Sequence, residues 1–538
     1  MPTPATPALA LQPRAHVPRG PKRVIRRLLS TGSMAAAGAV LVAGCSLSSG
    51  VPSTSGEGSG PVADASITID LSNYPSTLDP ALQYDESTYS VYRNIYDQLL
   101  RRDPKTLEPT PWIATEWENT SPTEWTFTIR DDVTFSDGTP LTASDVAFSI
   151  SRILDPALNS AQFANFSAIA SAEATSPTEL KVTTKAPSPT LLTYLTTLSI
   201  VPQAYVEEVG AEGLNSAPVG SGPYTLEAAT AGSEVRLTRN DSWWSDAPSI
   251  EDVVFRSVPD ASARLADLQS GTATLALGLT ADQAIQLESG TDVEVLSAPT
   301  ERVAYLGLNA LGDTATSDPD IREAIKLAID YDSIIDNLLG GYASPVGTIL
   351  TPLAFGYPDG TSDNEYDPDR AKALIEQSGI QDPELVFPSS PSYDPQIIQA
   401  IQSDLEAVGF SVSIENSDQA TYLKKVQSPA HDWGSLRFGL WSCSCLDADG
   451  VLYPLFRTDT IWSSWSDPDF DALVDHARTT LDEDERVADY EQAVSIVSEQ
   501  TPGIGLYQVD AIYGAAPELD WTPDAVQSLF VDQMSLGG

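Results

Sequence analysis

"WTFTIRDDVTFSDGTPLTASDVAFSISRILDP", residues 125–156, changes its hydrophobic period once along its length. The first six residues, "WTFTIR" (125–130), alternate in the two-residue period of a half-buried strand. From Thr142 the period becomes helical: Thr142 and Asp145 make a capping pattern, and Val146, Ile150 and Ile153 then fall on one face. Asp155-Pro156 closes the element, since the residue before a proline is driven away from the helical region. A strand and a capped amphipathic helix in one stretch indicate a mixed α/β chain.

The same two periods recur outward from this block. "SITIDL" (66–71) and "RVAYLGLNA" (302–310) read as strands. Helical stripes run through Ile321, Ala324, Ile325 and Ala328, through Phe470, Leu473, Val474 and Ala477, and through Val487, Tyr490, Val494 and Val497. These stripes are core faces. Asp-Pro recurs at 79, 103, 155, 318, 367, 382, 394 and 467 and punctuates the element boundaries. A chain of 538 residues exceeds what one hydrophobic core serves, so two or more domains are expected. With 41% hydrophobic and 8% aromatic residues the composition is that of a globular protein.

The amino-terminal 44 residues differ from the rest. They carry six basic residues (Arg14, Arg19, Lys22, Arg23, Arg26, Arg27) and no Asp or Glu, followed by the apolar "LLSTGSMAAAGAVLVAG". This is the pattern of an export signal. The stretch ending Leu41, Val42, Ala43, Gly44, Cys45 matches the bacterial lipobox, which predicts lipidation of Cys45 and cleavage before it. Residues 45–65 are rich in Ser and Gly and read as a flexible tether. Arg26 and Arg27 leave twin-arginine and ordinary Sec export both open. The expected location is the extracytoplasmic face of the cell membrane, held by the lipid. The net charge of −46 becomes −52 without the six leader cations, a surface that repels nucleic acid.

Enzyme signatures are absent. Beyond the leader there are two histidines, His431 and His476, and no HExxH, GxSxG, GxxxxGK[ST] or GxGxxG pattern, so no catalytic residue, metal ligand set or cofactor is assigned. "LDADG" (446–450) is not a calcium loop: aligned on Gly450, it puts Cys445 at the first ligand position and Phe456 at the twelfth. The pair Cys443 and Cys445 has three readings: a disulfide, a soft-metal pair, or two small buried residues.

Taken in order, "YPSTLDP" (74–80), "NIYDQLLRRDPKTLEPTPWIATEWE" (94–118), the 125–156 block, "PVGSGPYTLE" (218–227), "VVFRSVPDASARLADLQSG" (253–271), "YLGLNA" (305–310), "IREAIKLAIDYDSII" (321–335) and "SDPDFDALVDHA" (466–477) resemble the solute-binding proteins of peptide/nickel-class ABC importers. The resemblance implies a large two-lobed fold of the periplasmic-binding-protein type II class, with an extra subdomain inserted in the first lobe. Mapped here, lobe I is 66–97, 212–304 and 508–538, the insertion 98–211, and lobe II 305–507, with crossings near "YLGLNA" and "IGLYQ" (504–508). It further implies a monomer without cofactor that closes on a ligand between its lobes and docks on a membrane permease, with ATP hydrolysis left to other subunits.

In peptide-binding relatives a Trp of lobe II is followed three residues later by an Asp that pairs with the peptide amino terminus. Here Trp441 matches the Trp, and Ser444 stands where the Asp would be. Asp447 or Asp449 is expected to supply the carboxylate, the alternative for both being a turn before Gly450, and Arg437 is the nearest basic candidate for a ligand carboxylate. Trp433, Trp441, Trp462 and Trp465 cluster in sequence, with Trp441 the one expected to face ligand. The expected cargo is an oligopeptide. An oligosaccharide is the second choice, and a carbohydrate-active hydrolase the alternative from another class.

Overall fold

The computed structural model describes residues 65–290 and 292–537. The expected signal segment, Cys45 and all of the tether but Ala65 lie outside the described residues.

The 125–156 block folds as its periods require. Glu124–Ile129 is a strand with Phe127 and Ile129 buried and Thr128 exposed. It lies in an antiparallel four-stranded sheet ordered Ala114–Ser121, Glu124–Ile129, Glu179–Thr184, Ile169–Ser176. Helix Ala143–Leu154 follows, and the Asp145 carboxylate accepts from both the N–H and the Oγ1–H of Thr142 at 2.9 Å, satisfying one amide donor that the helix start leaves free. Val146, Ile150 and Ile153 pack with Phe127, Ile129, Leu180 and Val182 into one core.

The Asp-Pro pairs have a specific structural use. At 318, 367, 394 and 467 the aspartate caps a helix by accepting amide N–H groups of its first turn, while the proline takes the first helical position, where no donor is needed. Asp155 instead ends helix Ala143–Leu154.

A nine-stranded sheet runs through both lobes. Its order is Leu436–Trp441, Glu294–Leu308, Gly503–Ala515, Leu275–Leu277, Ala65–Leu71, Ile250–Ser257, Glu234–Arg239, Tyr224–Thr230, with Ala343–Pro345 also paired to Gly503–Ala515. The two long strands, Glu294–Leu308 and Gly503–Ala515, are antiparallel neighbours that change core along their length. Leu296, Tyr513 and Ala515 pack with Ile67, Ile69, Val253 and Phe255. Ala304, Leu306, Leu308, Ile504 and Leu506 pack instead with Ile325, Phe387 and Ile401. Between these halves the ladder breaks: Pro299 pairs with Asp510 and Val303 with Gln508, leaving 300–302 unpaired. Side chains fill the gap, Thr300 Oγ1 donating to the Val509 carbonyl and Gln508 Nε2 to the Thr300 carbonyl, each at 2.7 Å. The break lies just before the expected crossing at 305–310.

The core containing Phe127 is tied to the rest through Asp79. This aspartate is fully buried, and both its oxygens accept from the Arg152 guanidinium, Nη1 to Oδ1 at 2.7 Å. Removing one member of a buried pair strands the other charge. Arg152→Met is therefore expected to lower unfolding free energy by about 3–5 kcal/mol, read by urea denaturation, and adding Asp79→Asn should restore part of it. An Arg152→Met protein as stable as the parent would show that the pair is dispensable.

Candidate functional site: the cleft between the lobes

A cleft of about 880 Å³ opens between the two halves of the long strands. Its first wall starts with helix Glu86–Ile95, capped by Asp85, whose side chain accepts from the Thr88 N–H. Helical spacing puts Glu86, Tyr89 and Arg93 on one face, and all three line the cleft. Arg93 lies over the Tyr89 ring, 4.3 Å from its centroid, and donates to the Tyr84 hydroxyl at 3.2 Å, while its buried Nε has no partner among the described residues. Arg101 is committed to Asp532 at 2.8 Å. Arg102 uses only part of its guanidinium within its own wall: its Nε donates to Thr196 Oγ1 at 3.0 Å and its Nη2 to the Thr193 carbonyl at 3.2 Å, whereas its buried Nη1 is unpartnered. Burial pulls this guanidinium down to about 10.

Lobe II supplies the facing wall. Strand Leu436–Trp441 ends in Trp441, whose Nε1 donates to the Gly450 carbonyl at 2.8 Å and whose ring meets Trp462 edge-on at 5.7 Å. The next residues close a loop in which Cys443 and Cys445 are disulfide-bonded, which resolves the three readings of the pair. The loop reaches across the cleft: Arg102 Nη2 donates to the Ser444 carbonyl, and the Tyr194 hydroxyl lies 3.5 Å from Cys443 Sγ. Gly450 is packed so close beneath the loop that a Cβ there would overlap both sulfurs.

Asp449 starts helix Asp449–Phe456 and lines the cleft. Its buried Oδ1 accepts no hydrogen bond and lies 3.7 Å from Arg478 Nε. Burial outweighs the attraction of Arg478 and pushes this carboxyl up to about 6.

Trp441, Ser444 and Asp449 are thus brought together on one wall, and two expected site residues are not. Asp447 is buried against Arg486, 2.6 Å away, and accepts from the Tyr490 hydroxyl at 3.3 Å and the Asp449 N–H at 2.9 Å. It is a turn residue with a structural ion pair and has no free oxygen for a ligand ammonium. Arg437 sits on the same strand face as Trp441 but four residues back, about 13 Å deeper at strand rise. There it donates to Tyr305 Oη at 2.6 Å and to the Trp462 carbonyl at 2.9 Å, ringed by Tyr305, Trp433 and Trp462. It buttresses the aromatic wall from behind and does not line the cleft. Among the groups that do line it, the basic Arg93 and Arg102 and the acidic Glu301 carry no sequence signal that marks them as site residues.

Residues 108–463 match the bacterial extracellular solute-binding proteins, family 5 (Middle). The chain belongs to this family. Among its relatives, the glutathione-binding protein GsiB of Escherichia coli is 26% identical over 445 residues, covering 80% of this chain and 86% of that protein. The binding protein DppA of Helicobacter pylori, solved with the peptide STSA, superposes with a TM-score of 0.74 at 24% identity over 89% of this chain and 99% of its own. NikA of Brucella suis, solved with Fe(III)-EDTA, reaches a TM-score of 0.80 at 21% identity over 88% and 100%. This solute-binding protein therefore has the two-lobed fold, is a binding protein and not an enzyme, and is the extracytoplasmic receptor component of a peptide/nickel-class ABC importer.

The disulfide loop gives a direct test of the cleft wall. Gly450→Ala in this solute-binding protein is expected to cost about 1–3 kcal/mol by overpacking against the two sulfurs, seen as a fall in the denaturation midpoint. An unchanged midpoint would mean the loop relaxes freely.

Proposed function

We propose that this protein is a lipid-anchored receptor that captures an oligopeptide between its lobes and delivers it to the importer's permease. The observation that supports the peptide is spare hydrogen-bonding capacity of opposite sign on the two walls: Asp449, 3.7 Å from Arg478, has an oxygen that accepts no hydrogen bond on the lobe II wall, and Arg102 and Arg93 have unbonded N–H groups on the other. Buried charged groups left without partners cost free energy, which a ligand with an ammonium at one end and a carboxylate at the other recovers. In this reading Asp449 takes the place of the missing carboxylate at Ser444. An oligosaccharide could stack on Trp441 but would bring no charge of its own to these groups.

Calorimetry on a tripeptide and its N-acetylated form tests the assignment. Asp449→Asn is expected to weaken the free-amine peptide by about 2–5 kcal/mol and to erase its advantage over the acetylated one. Equal binding by variant and parent would remove Asp449 from the site.

The raised Asp449 carboxyl fixes a pH dependence. A bound ammonium favours the ionised form, so binding is at full strength above about pH 6 and weakens as pH falls through that value. From about pH 7 to about pH 5, affinity for the free-amine peptide should fall by about tenfold in all, and Asp449→Asn should flatten the profile. A parent profile that is already flat would contradict the assignment.

Anchoring rests on Cys45, which lies outside the described residues. Cys45→Ala is expected to release the protein from the membrane fraction, because the acyl chains that each contribute about 0.8 kcal/mol per buried CH₂ are no longer attached. Retention equal to the parent would point to an uncleaved apolar segment.

A further inference from the structure

Glu301 is the cleft residue that the peptide reading leaves unused. It lies in the unpaired stretch 300–302, where the long strand passes from one core to the other, and its side chain lines the cleft. Its backbone is held by an N–H donated to the Ala525 carbonyl at 3.3 Å. Its Oε2 is buried and accepts no hydrogen bond from any described residue.

The charged groups facing it are Arg302 on its own strand, Arg102 and Glu86 on the first wall, and Asp524 on the carboxy-terminal segment. None of these forms an ion pair with Glu301 among the described residues, and Arg102 is tied to Thr196, Thr193 and Ser444. Glu86 is partly satisfied by Gln527 Nε2 at 3.0 Å, and Asp524 by the N–H groups of Val526 and Ser528. Burial raises the carboxyls of all three acids.

The balance of charge on this floor decides what can bind. Glu86, Glu301 and Asp524 are matched by Arg93, Arg102 and Arg302, with Asp85 exposed at the rim. A ligand carboxylate placed on Arg102 leaves the floor one positive charge short. Glu301, unpartnered and electrostatically coupled to Arg102, is where the missing cation is best placed.

We propose that Glu301 forms a subsite for a cationic side chain beside the carboxylate end of the cargo, so that the preferred ligand is a short peptide whose carboxy-terminal residue is basic. The assignment rests on the peptide reading, and the test separates the two. Calorimetry on the full chain compares Ala-Ala-Lys, Ala-Ala-Nε-acetyl-Lys, Lys-Ala-Ala and Ala-Ala-Ala. The parent is expected to bind Ala-Ala-Lys about tenfold or more tighter than its acetylated form and tighter than Lys-Ala-Ala, and E301Q to bring the first ratio close to one. No preference in the parent, a measurement that needs no variant, overturns the subsite, as does an undiminished ratio in E301Q. If no tripeptide binds the parent, the peptide reading fails by itself. The subsite is then decided by 1,5-diaminopentane followed through tryptophan fluorescence: a response in the parent that is lost in E301Q supports it, and an equal or absent response overturns it.

Discussion

The antiparallel pairing of Glu294–Leu308 with Gly503–Ala515 is the constraint on which the rest of the molecule depends. Each strand buries one half in the core around Ile67 and Phe255 and the other in the core around Ile325 and Phe387. Neither lobe can move without bending this pair. Pro299 brings no N–H to its partner Asp510, so the ladder is weakest where the strands leave the first core. The bonds that replace it come from Thr300 and Gln508 side chains, which rotate about single bonds and rearrange at less cost than a ladder register. A two-stranded connection with one soft point favours rotation of the lobes over their separation.

That soft point also explains where the cleft lies and why its charges stay apart. The cleft walls come from segments as far apart in the chain as Glu86, Arg102, Tyr194, Glu301, Trp441 and Gln527. Each segment is anchored in its own lobe by bonds that have nothing to do with a ligand: Arg102 by the Thr193–Thr196 turn, Asp449 by the buried Asp447–Arg486 pair behind it, Trp441 by Gly450. Opposite charges that would collapse together in a flexible site are thereby held in place with bonding capacity to spare, at a cost offset by the cores behind them.

The parts of the fold that were legible in the sequence are those governed by local rules. The period change at 125–156 and the Thr142–Asp145 cap describe elements whose determinants lie within one or two turns, and Asp-Pro needs only two residues to start a helix. The cleft obeys no such rule. Asp447 and Asp449 look alike in "LDADG", yet one is consumed by Arg486, a partner 39 positions along the chain, and the other is not. Arg437 and Trp441 share a strand face, and alternation places both correctly on it, but depth along the strand decides which of them meets the cleft. Nothing in the sequence sets Arg102 or Glu301 apart from the other charged residues, because burial by the opposite lobe is a property of the tertiary fold alone.

A net charge of −46 says little about the cargo, because the cleft carries fixed cations of its own. The basic groups lining the cavity are Arg93, Arg101, Arg102, Arg302 and Arg478, and no lysine is among the lining residues. Lysine would put one hydrated point charge on a flexible stem. Arginine spreads five donors over a rigid plane, so some can be tied to the scaffold while others remain for a ligand, as Arg102 divides its N–H groups between Thr193, Thr196 and Ser444 and leaves Nη1. The acidic surface and the cleft therefore do different work. The first sets the charge that the whole molecule presents to distant partners, whereas under the proposed function selection of cargo comes from a few fixed groups of both signs whose mutual distances, rather than their sum, carry the information.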